Sequence, residues 1–250
     1  RIAREGFEQA KNDFERALYE LKDKQQRRKI LTDLENNMEG FAGSVKQVLK
    51  ASKQGRIGGV FGTIAQNIGV EPKYAVAIET ALGGAMQNII VENEDIAKRC
   101  IRFLKEQKGG RATFLPITSV KGYELREQGL ENCEGFVANA NKIVTYDPKF
   151  SGIIASLLGR IVIAEDIDTA TLIAKKYGYK FRIVTLDGQV INAGGSFTGG
   201  SAQRSGGIIT RKNEIDTLDA EIEKLAAERD TLREKEASLS RRQGCLSRSF

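Results

Sequence analysis

The chain is 250 residues long, 40% hydrophobic and 29% charged, with a mean hydropathy of −0.34, a mixture that suggests a globular part joined to solvent-exposed helices. Its formal charge of +6 and pI near 9.2 suit a polyanionic partner without demanding one. The absence of histidine excludes Ser–His and Cys–His nucleophile pairs, histidine metal ligands and histidine pH switches, and three distant cysteines (Cys100, Cys133, Cys245) offer neither a disulfide framework nor a zinc spacing.

Residues 1–52 lack proline, and Phe7, Ala10, Phe14, Ala17 and Leu21 recur at alternating steps of three and four. Leu31, Leu34, Met38, Phe41, Val45 and Val48 do so again. Both runs read as the seam of a coiled-coil helix, with a register shift in the intervening KDKQQRRK. Residues 53–207 are different material, holding most of the glycines and all three prolines. EPKYAVAIETALGG (71–84) predicts a helix with Pro72 near its start and Gly83-Gly84 at its end. NIIVE (88–92), DIAKRCIRFLKEQ (95–107) and RATFLPI (111–117) predict strand, helix and strand. RIVIAE (160–165), DTATLIAKKYG (168–178) and FRIVTL (181–186) repeat that order, and each unit closes with Arg-x-x-x-Leu (Arg111 to Leu115, Arg182 to Leu186). This internal duplication predicts a mixed α/β domain of two similar lobes. Asp187-Gly188 marks a hairpin between RIVTL and QVINA.

Residues 208–250 return to heptads: Ile215, Leu218, Ile222, Leu225, Leu232 and Leu239 hold the spacing, broken by Arg229 and Glu236, before the tail SRRQGCLSRSF loses it. So narrow a seam needs a partner, and the economical one is the N-terminal helix, lying antiparallel. The alternative is two independent helices packed on the central domain. No apolar run approaches a membrane span and no signal peptide is visible; the chain opens at Arg1, which suggests a piece of something longer.

Nucleotide chemistry finds little support. No Gly-x-x-x-x-Gly-Lys-Ser/Thr is present, and neither GRIGGVFG (55–62) nor NAGGSFTGG (192–200) has Gly-x-Gly-x-x-Gly spacing. Glu165, Asp166 and Asp168 cluster like a metal or acid–base site, yet they open a predicted helix, where acidic residues complement the dipole. A phosphate-contacting surface is better supported. Lys98, Arg102 and Lys105 share one helix face, while Ala97, Ile101 and Leu104 share another suited to packing on a sheet. Arg99, Lys108 and Arg111 extend the positive charge, although a solvated face would look the same. In QVINAGGSFTGG a strand runs into Gly194-Gly195 and then Gly199-Gly200. Glycines serve where φ is positive or another backbone approaches closely. Two pairs around Ser-Phe-Thr predict an exposed edge on which a second chain docks, with Phe197 as its apolar anchor; an internal loop is the alternative.

Taken in order, a heptad arm, GRIGGVFGTIAQNIGVEPKYAVAIETALGGAMQNIIVE, GRATFLPI, RIVTLDGQVINAGGSFTGGS and a returning arm resemble the hinge of bacterial structural-maintenance-of-chromosomes (SMC) proteins. The likeness covers essentially the whole chain, as an arm over 1–52, a hinge over 53–207 and a returning arm over 208–250. It implies a two-lobed α/β hinge on an intramolecular antiparallel coiled coil, dimerising with a second copy of itself through Gly194, Gly195, Gly199 and Gly200. It also implies sequence-independent DNA contact near the arm junction, for which Lys98, Arg99, Arg102, Lys105, Lys108, Arg111 and Arg204 are the candidates. ATP, magnesium and a kleisin subunit belong to head domains elsewhere in such proteins, so this module is expected to be non-catalytic, cofactor-free, cytoplasmic and nucleoid-associated. A coiled-coil spacer without DNA binding and a nucleotide-dependent α/β enzyme are the competing readings.

Overall fold

The computed structural model of the chain describes residues 2–200 and 207–246. They form two compact units, one from the chain up to Glu39 and from Glu214 on, the other from Gly40 to Asn213.

Helix α1 (Ile2–Asn36) stops where Met38 and Gly40 take positive φ, 53° and 94°, and the Glu39 N–H donates to the Leu34 carbonyl at 2.9 Å. This is a left-handed C-cap that turns the chain out of the helix. Helix α2 (Gly43–Lys53) starts afresh. The seam expected from Leu31 to Val48 is thus cut: Val45 and Val48, 3% and 0% exposed, belong to the core of the globular unit. Of the two residues at positive φ, Gly40 was the legible signal, and Met38, a residue that seldom goes there, sat in step with the heptad and masked it.

In the globular unit β1 (Val60–Thr63), a one-turn α3 (Ile64–Asn67), β2 (Ile68–Val70), a Pro72-led turn, α4 (Ala75–Leu82), β3 (Ile89–Val91), α5 (Glu94–Glu106) and β4 (Phe114–Pro116) follow one another. Then β5 (Phe136–Asn139), a turn at Ala140–Lys142, β6 (Val144–Tyr146), a Pro148-led turn, α6 (Ser151–Leu158), β7 (Ile161–Ala164), α7 (Ile167–Lys176) and β8 (Arg182–Thr185) repeat the order, save for a helical turn at Gly83–Gln87 that only the first lobe has before β3. The expected duplication is present and extends further upstream than two strand–helix–strand units: EPKYAVAIETALGG and DPKFSGIIASLLGR (147–160) are equivalent stretches. In both lobes the first strand pairs antiparallel with the third through a register shift, and the third pairs parallel with the fourth. The two Arg-x-x-x-Leu matches are not equivalent positions, because Arg182 opens β8 whereas Arg111 lies ahead of β4.

Strands β2 and β6 pair antiparallel, Gly69 opposite Thr145 and flanked by Ile68–Tyr146 and Val70–Val144. Each strand is paired with its own counterpart, so a pseudo-twofold axis passes between Gly69 and Thr145. A Cβ on Gly69 would run into the Thr145 hydroxyl, which is why the first-lobe strand carries glycine there. One core joins the lobes through Ile64, Ile78, Ile90, Ile154, Leu158 and Val184, and a second lies beneath α7 around Val162, Ile173, Phe181 and Ile191. The first sheet has the order β1-β3-β4; the second, with β9 (Val190–Ile191) and β10 (Phe197–Thr198), has β10-β9-β8-β7-β5. Helix α8 (Ile208–Leu246) starts in this unit, its Thr210 N–H donating to the Glu79 carboxylate of α4 at 2.7 Å.

In the other unit α1 and α8 run antiparallel. Lys24 pairs with Glu221 at 2.8 Å and Arg28 with Asp219 at 2.7 Å, and Leu31 packs with Ile215 and Leu218. Ala10, Ala17, Lys24 and Leu31 follow one another at heptad intervals, as do Phe7, Phe14, Leu21 and Arg28. Through KDKQQRRK both series run on as far as Leu31, and Leu34, which falls on neither, is exposed. The segment places two cations at seam positions, where carboxylates of the facing helix meet them. Arg229 and Glu236 likewise keep heptad positions on α8 and are half-buried.

Candidate dimerisation edge and basic surface

The segment 186–200 builds the edge of the second sheet. Gly188, with φ of 87°, closes the β8–β9 turn, its N–H donating to the Thr185 carbonyl at 2.9 Å. After β9 the chain reverses through Asn192–Ser196. The Asn192 N–H donates to the Ser196 carbonyl at 2.8 Å, the Gly195 N–H to the Asn192 carbonyl at 3.0 Å, and the Gly194 N–H to the Tyr179 carbonyl at 2.9 Å. Gly194 and Gly195 hold φ of 89° and 93°, so the first glycine pair makes the turn. The second ends β10. The Gly200 N–H donates to Gln189 Oε1 at 2.9 Å, Gln189 Nε2 donates to the Gly200 carbonyl at 3.1 Å, and a side chain on Gly199 would strike that amide.

Between the pairs, Phe197 and Thr198 form the outermost strand, and Phe197 is 53% exposed. The Asn192–Ser196 bond sets the alternation of the ladder: Thr198 faces β9, and the Phe197 N–H and carbonyl face away from the sheet. Among the described residues no strand lies beyond β10, and the ribbon is open. The first sheet also ends on a free edge, β4, whose Pro116 is typical of an edge strand. Its equivalent, β8, has β9 beside it; among the described residues nothing occupies that place next to β4.

Asn93 caps α5, its Oδ1 accepting from the Asp95 and Ile96 N–H groups at 3.1 Å. The helix ends with Lys108 in the left-handed region and the Gly109 N–H donating to the Leu104 carbonyl at 2.8 Å. Lys98, Arg99, Arg102, Lys105, Lys108 and Arg111 are all exposed along this element, with Lys98 paired to Asp95 at 3.2 Å; Arg204 lies outside the described residues. The buried face is centred on Cys100 and Leu104, and Ile101 is 54% exposed among the cations, contrary to its expected place against the sheet. Helix α2 packs on α5, and the Ser44 hydroxyl donates to the Arg111 carbonyl at 2.7 Å. A groove of about 250 Å³ between them is lined by Gln47, Lys50, Ala51, Gln54, Arg56, Phe103 and Gln107. Lys50 and Arg56 thus join the basic surface. The signal for Lys50 was the spacing of Lys46, Lys50 and Lys53, which matches that of Lys98, Arg102 and Lys105 but falls at the end of the stretch that reads as arm; Arg56 stood outside it.

The acidic cluster is a helix cap. The Thr169 N–H donates to Asp166 Oδ1 at 2.8 Å, and with the Thr169 hydroxyl it holds the Asp166 carboxyl below the ordinary carboxylate range. Among the described residues no group of acidic or cysteine side chains is placed to hold a metal, and no helix is long and apolar enough to cross a membrane.

Residues 57–174 match the family described as SMC proteins Flexible Hinge Domain. The crystal structure of an asymmetric dimer of the Geobacillus stearothermophilus SMC hinge domain superposes with a TM-score of 0.82 at 33% identity, over 97% of this chain and 98% of that one. The chain belongs to the SMC hinge family. The Pyrococcus furiosus SMC hinge domain aligns with a TM-score of 0.55 at 29% identity, over 76% of this chain and 92% of that one. Among full-length relatives, the chromosome partition protein Smc of Bacillus subtilis is 36% identical over 208 residues, and that of Halothermothrix orenii 41% over 194. These alignments take in 79% and 77% of this hinge but only 17% and 16% of the relatives, so the chain spans about a sixth of their length.

Proposed function

We propose that this chain is the hinge of a chromosome-partition SMC protein, joining two copies of itself at one end of a pair of long arms. The observation that carries the reading is the pair of free edges: β10, with Phe197 exposed and its backbone turned outward, and β4, whose counterpart β8 has a neighbour. If β10 of each copy adds to β4 of the other, both contacts are made at once and the assembly closes with twofold symmetry. Gly194 and Gly195 shape the ribbon, Gly199 and Gly200 fasten its end, and Phe197 is its anchor. The role is mechanical, with no bond made or broken here. We place ATP, magnesium and kleisin binding on the heads of the longer protein, and contact with the nucleoid on DNA held without sequence preference by the cations of α5 and α2.

Sedimentation of three forms tests the edge. The unaltered hinge is expected to be a dimer at micromolar concentration and Phe197→Ala a weaker one. Phe197→Pro is expected to be a monomer with native circular dichroism, since proline on an edge strand removes an outward N–H without breaking the ladder behind it. A Phe197→Pro protein that remains dimeric would refute the pairing.

A further inference from the structure

Away from the edge and the basic surface, Cys133, Glu134 and Lys176 line one cavity, with Tyr177 beside the sulfur. Cys133 lies in the turn before β5, held by its own N–H to the Leu130 carbonyl and by the Phe136 N–H to the Cys133 carbonyl, both 3.1 Å. Lys176, the last residue of α7, brings Nζ to 3.3 Å from Cys133 Sγ. Tyr177 Oη lies 3.9 Å from the sulfur and donates to the Gln128 carbonyl at 2.8 Å, and the thiol reaches the Gly129 carbonyl at 3.4 Å. Beside them opens a cavity of about 240 Å³ lined by Asn132, Cys133, Glu134, Leu172, Ile173 and Lys176. Cys133 is half-buried, lines this cavity and has the Lys176 ammonium against its sulfur, so an oxidant entering the cavity meets the sulfur and a proton donor together. The sulfur also holds the Lys176 ammonium above its ordinary range, so the cation persists. Cys100 offers the opposite case within the same chain: it is fully buried, and burial pushes its thiol up to about 11.

We propose that Cys133 and Lys176 form a site for oxidation by small hydroperoxides. The Cys133 thiolate attacks one peroxide oxygen, so that an S–O bond forms and the O–O bond breaks. The departing oxygen takes a proton from the Lys176 ammonium and leaves as water, for hydrogen peroxide, and Cys133 becomes the sulfenic acid, which retains the other peroxide proton. Sulfur is oxidised by two electrons, peroxide is reduced, and Lys176 recovers its proton from solvent. The cavity takes the peroxide, and the ammonium beside the sulfur protonates the leaving oxygen.

The test treats the purified hinge with hydrogen peroxide, traps sulfenic acid with dimedone and locates the label by peptide mass spectrometry. Cys133 is expected to label and Cys100 not. Lys176→Met, at an exposed helix end, is expected to keep the thermal melt while slowing labelling of Cys133 by about threefold or more, and Lys176→Arg to restore most of the rate. Equal rates at Cys133 with and without the cation would overturn the proposal, as would labelling of Cys100 as fast as Cys133. The dimer is expected to be unaffected by Lys176→Met, so this outcome is independent of the edge reading.

Discussion

Gly194 and Gly195 illustrate how a residue-level reading divides. That this stretch needs bare backbone follows from the letters. That the first pair makes a turn with φ near 90°, and that Gly199 makes room for Gln189, follows from the folded ribbon. Ile101 went the other way: its spacing from Ala97 and Leu104 fits a packed face, but the helix rolls so that Cys100 is innermost. Asp166 was legible as an acidic residue opening a helix, the fold makes it the N-cap, and it yields a pH prediction. Its folded carboxyl titrates below the ordinary range because the charged form accepts the Thr169 N–H and hydroxyl. Its contribution is therefore full above the unfolded carboxylate pKa and is lost as pH falls through the folded one. Asp166→Asn keeps the cap uncharged and is expected to make unfolding less acid-sensitive over that window, as read by denaturant titrations at a series of pH values.

At the level of elements, the heptads predicted two partnered helices and their antiparallel sense, and Leu31, Ile215 and Leu218 meet accordingly. Replacing Leu218 by alanine removes a buried side chain from that small cluster and is expected to cost the arm about 2–3 kcal/mol, measured by denaturant unfolding followed by circular dichroism. Periodicity misjudged the ends and the interruptions of these helices. It took Val45 and Val48 for seam because a step of three and four occurs in any amphipathic helix, including one packed on a globular core. It took KDKQQRRK for an interruption because charge at a seam position is uncommon until its partner, here Glu221 or Asp219, is known, and it took Leu34 for seam although that side chain is exposed.

For the whole molecule, the duplication explains both its internal symmetry and the place where that symmetry fails. The lobes meet through β2 and β6, each strand facing its own counterpart, but only the second lobe carries the β9–β10 hairpin. The extra ribbon leaves one unmatched edge on each side, which a second copy can satisfy. The basic surface belongs to this scale because it joins helices distant in sequence. Reversing Arg102 and Lys105 to glutamate is expected to weaken DNA binding equally for unrelated sequences and to flatten the salt dependence of log K by about two units. Reversing Lys50 and Arg56 is expected to do the same, by fluorescence anisotropy over a salt series. An unchanged slope in both would favour a spacer that pairs without touching DNA.

Local order alone determined the heptads of both arms, the strand–helix–strand units, the acidic opening of a helix and the glycine ribbon, because each depends on spacing within a few turns or on the backbone freedom of one residue. Tertiary structure decided that α2 belongs to the core, that β4 and β10 both end their sheets among the described residues, that α2 adds its cations to those of α5 and that Lys176 lies beside Cys133. These depend on which segments meet across long stretches of chain. Such meetings are set by the burial of a shared core, which no short window of sequence contains.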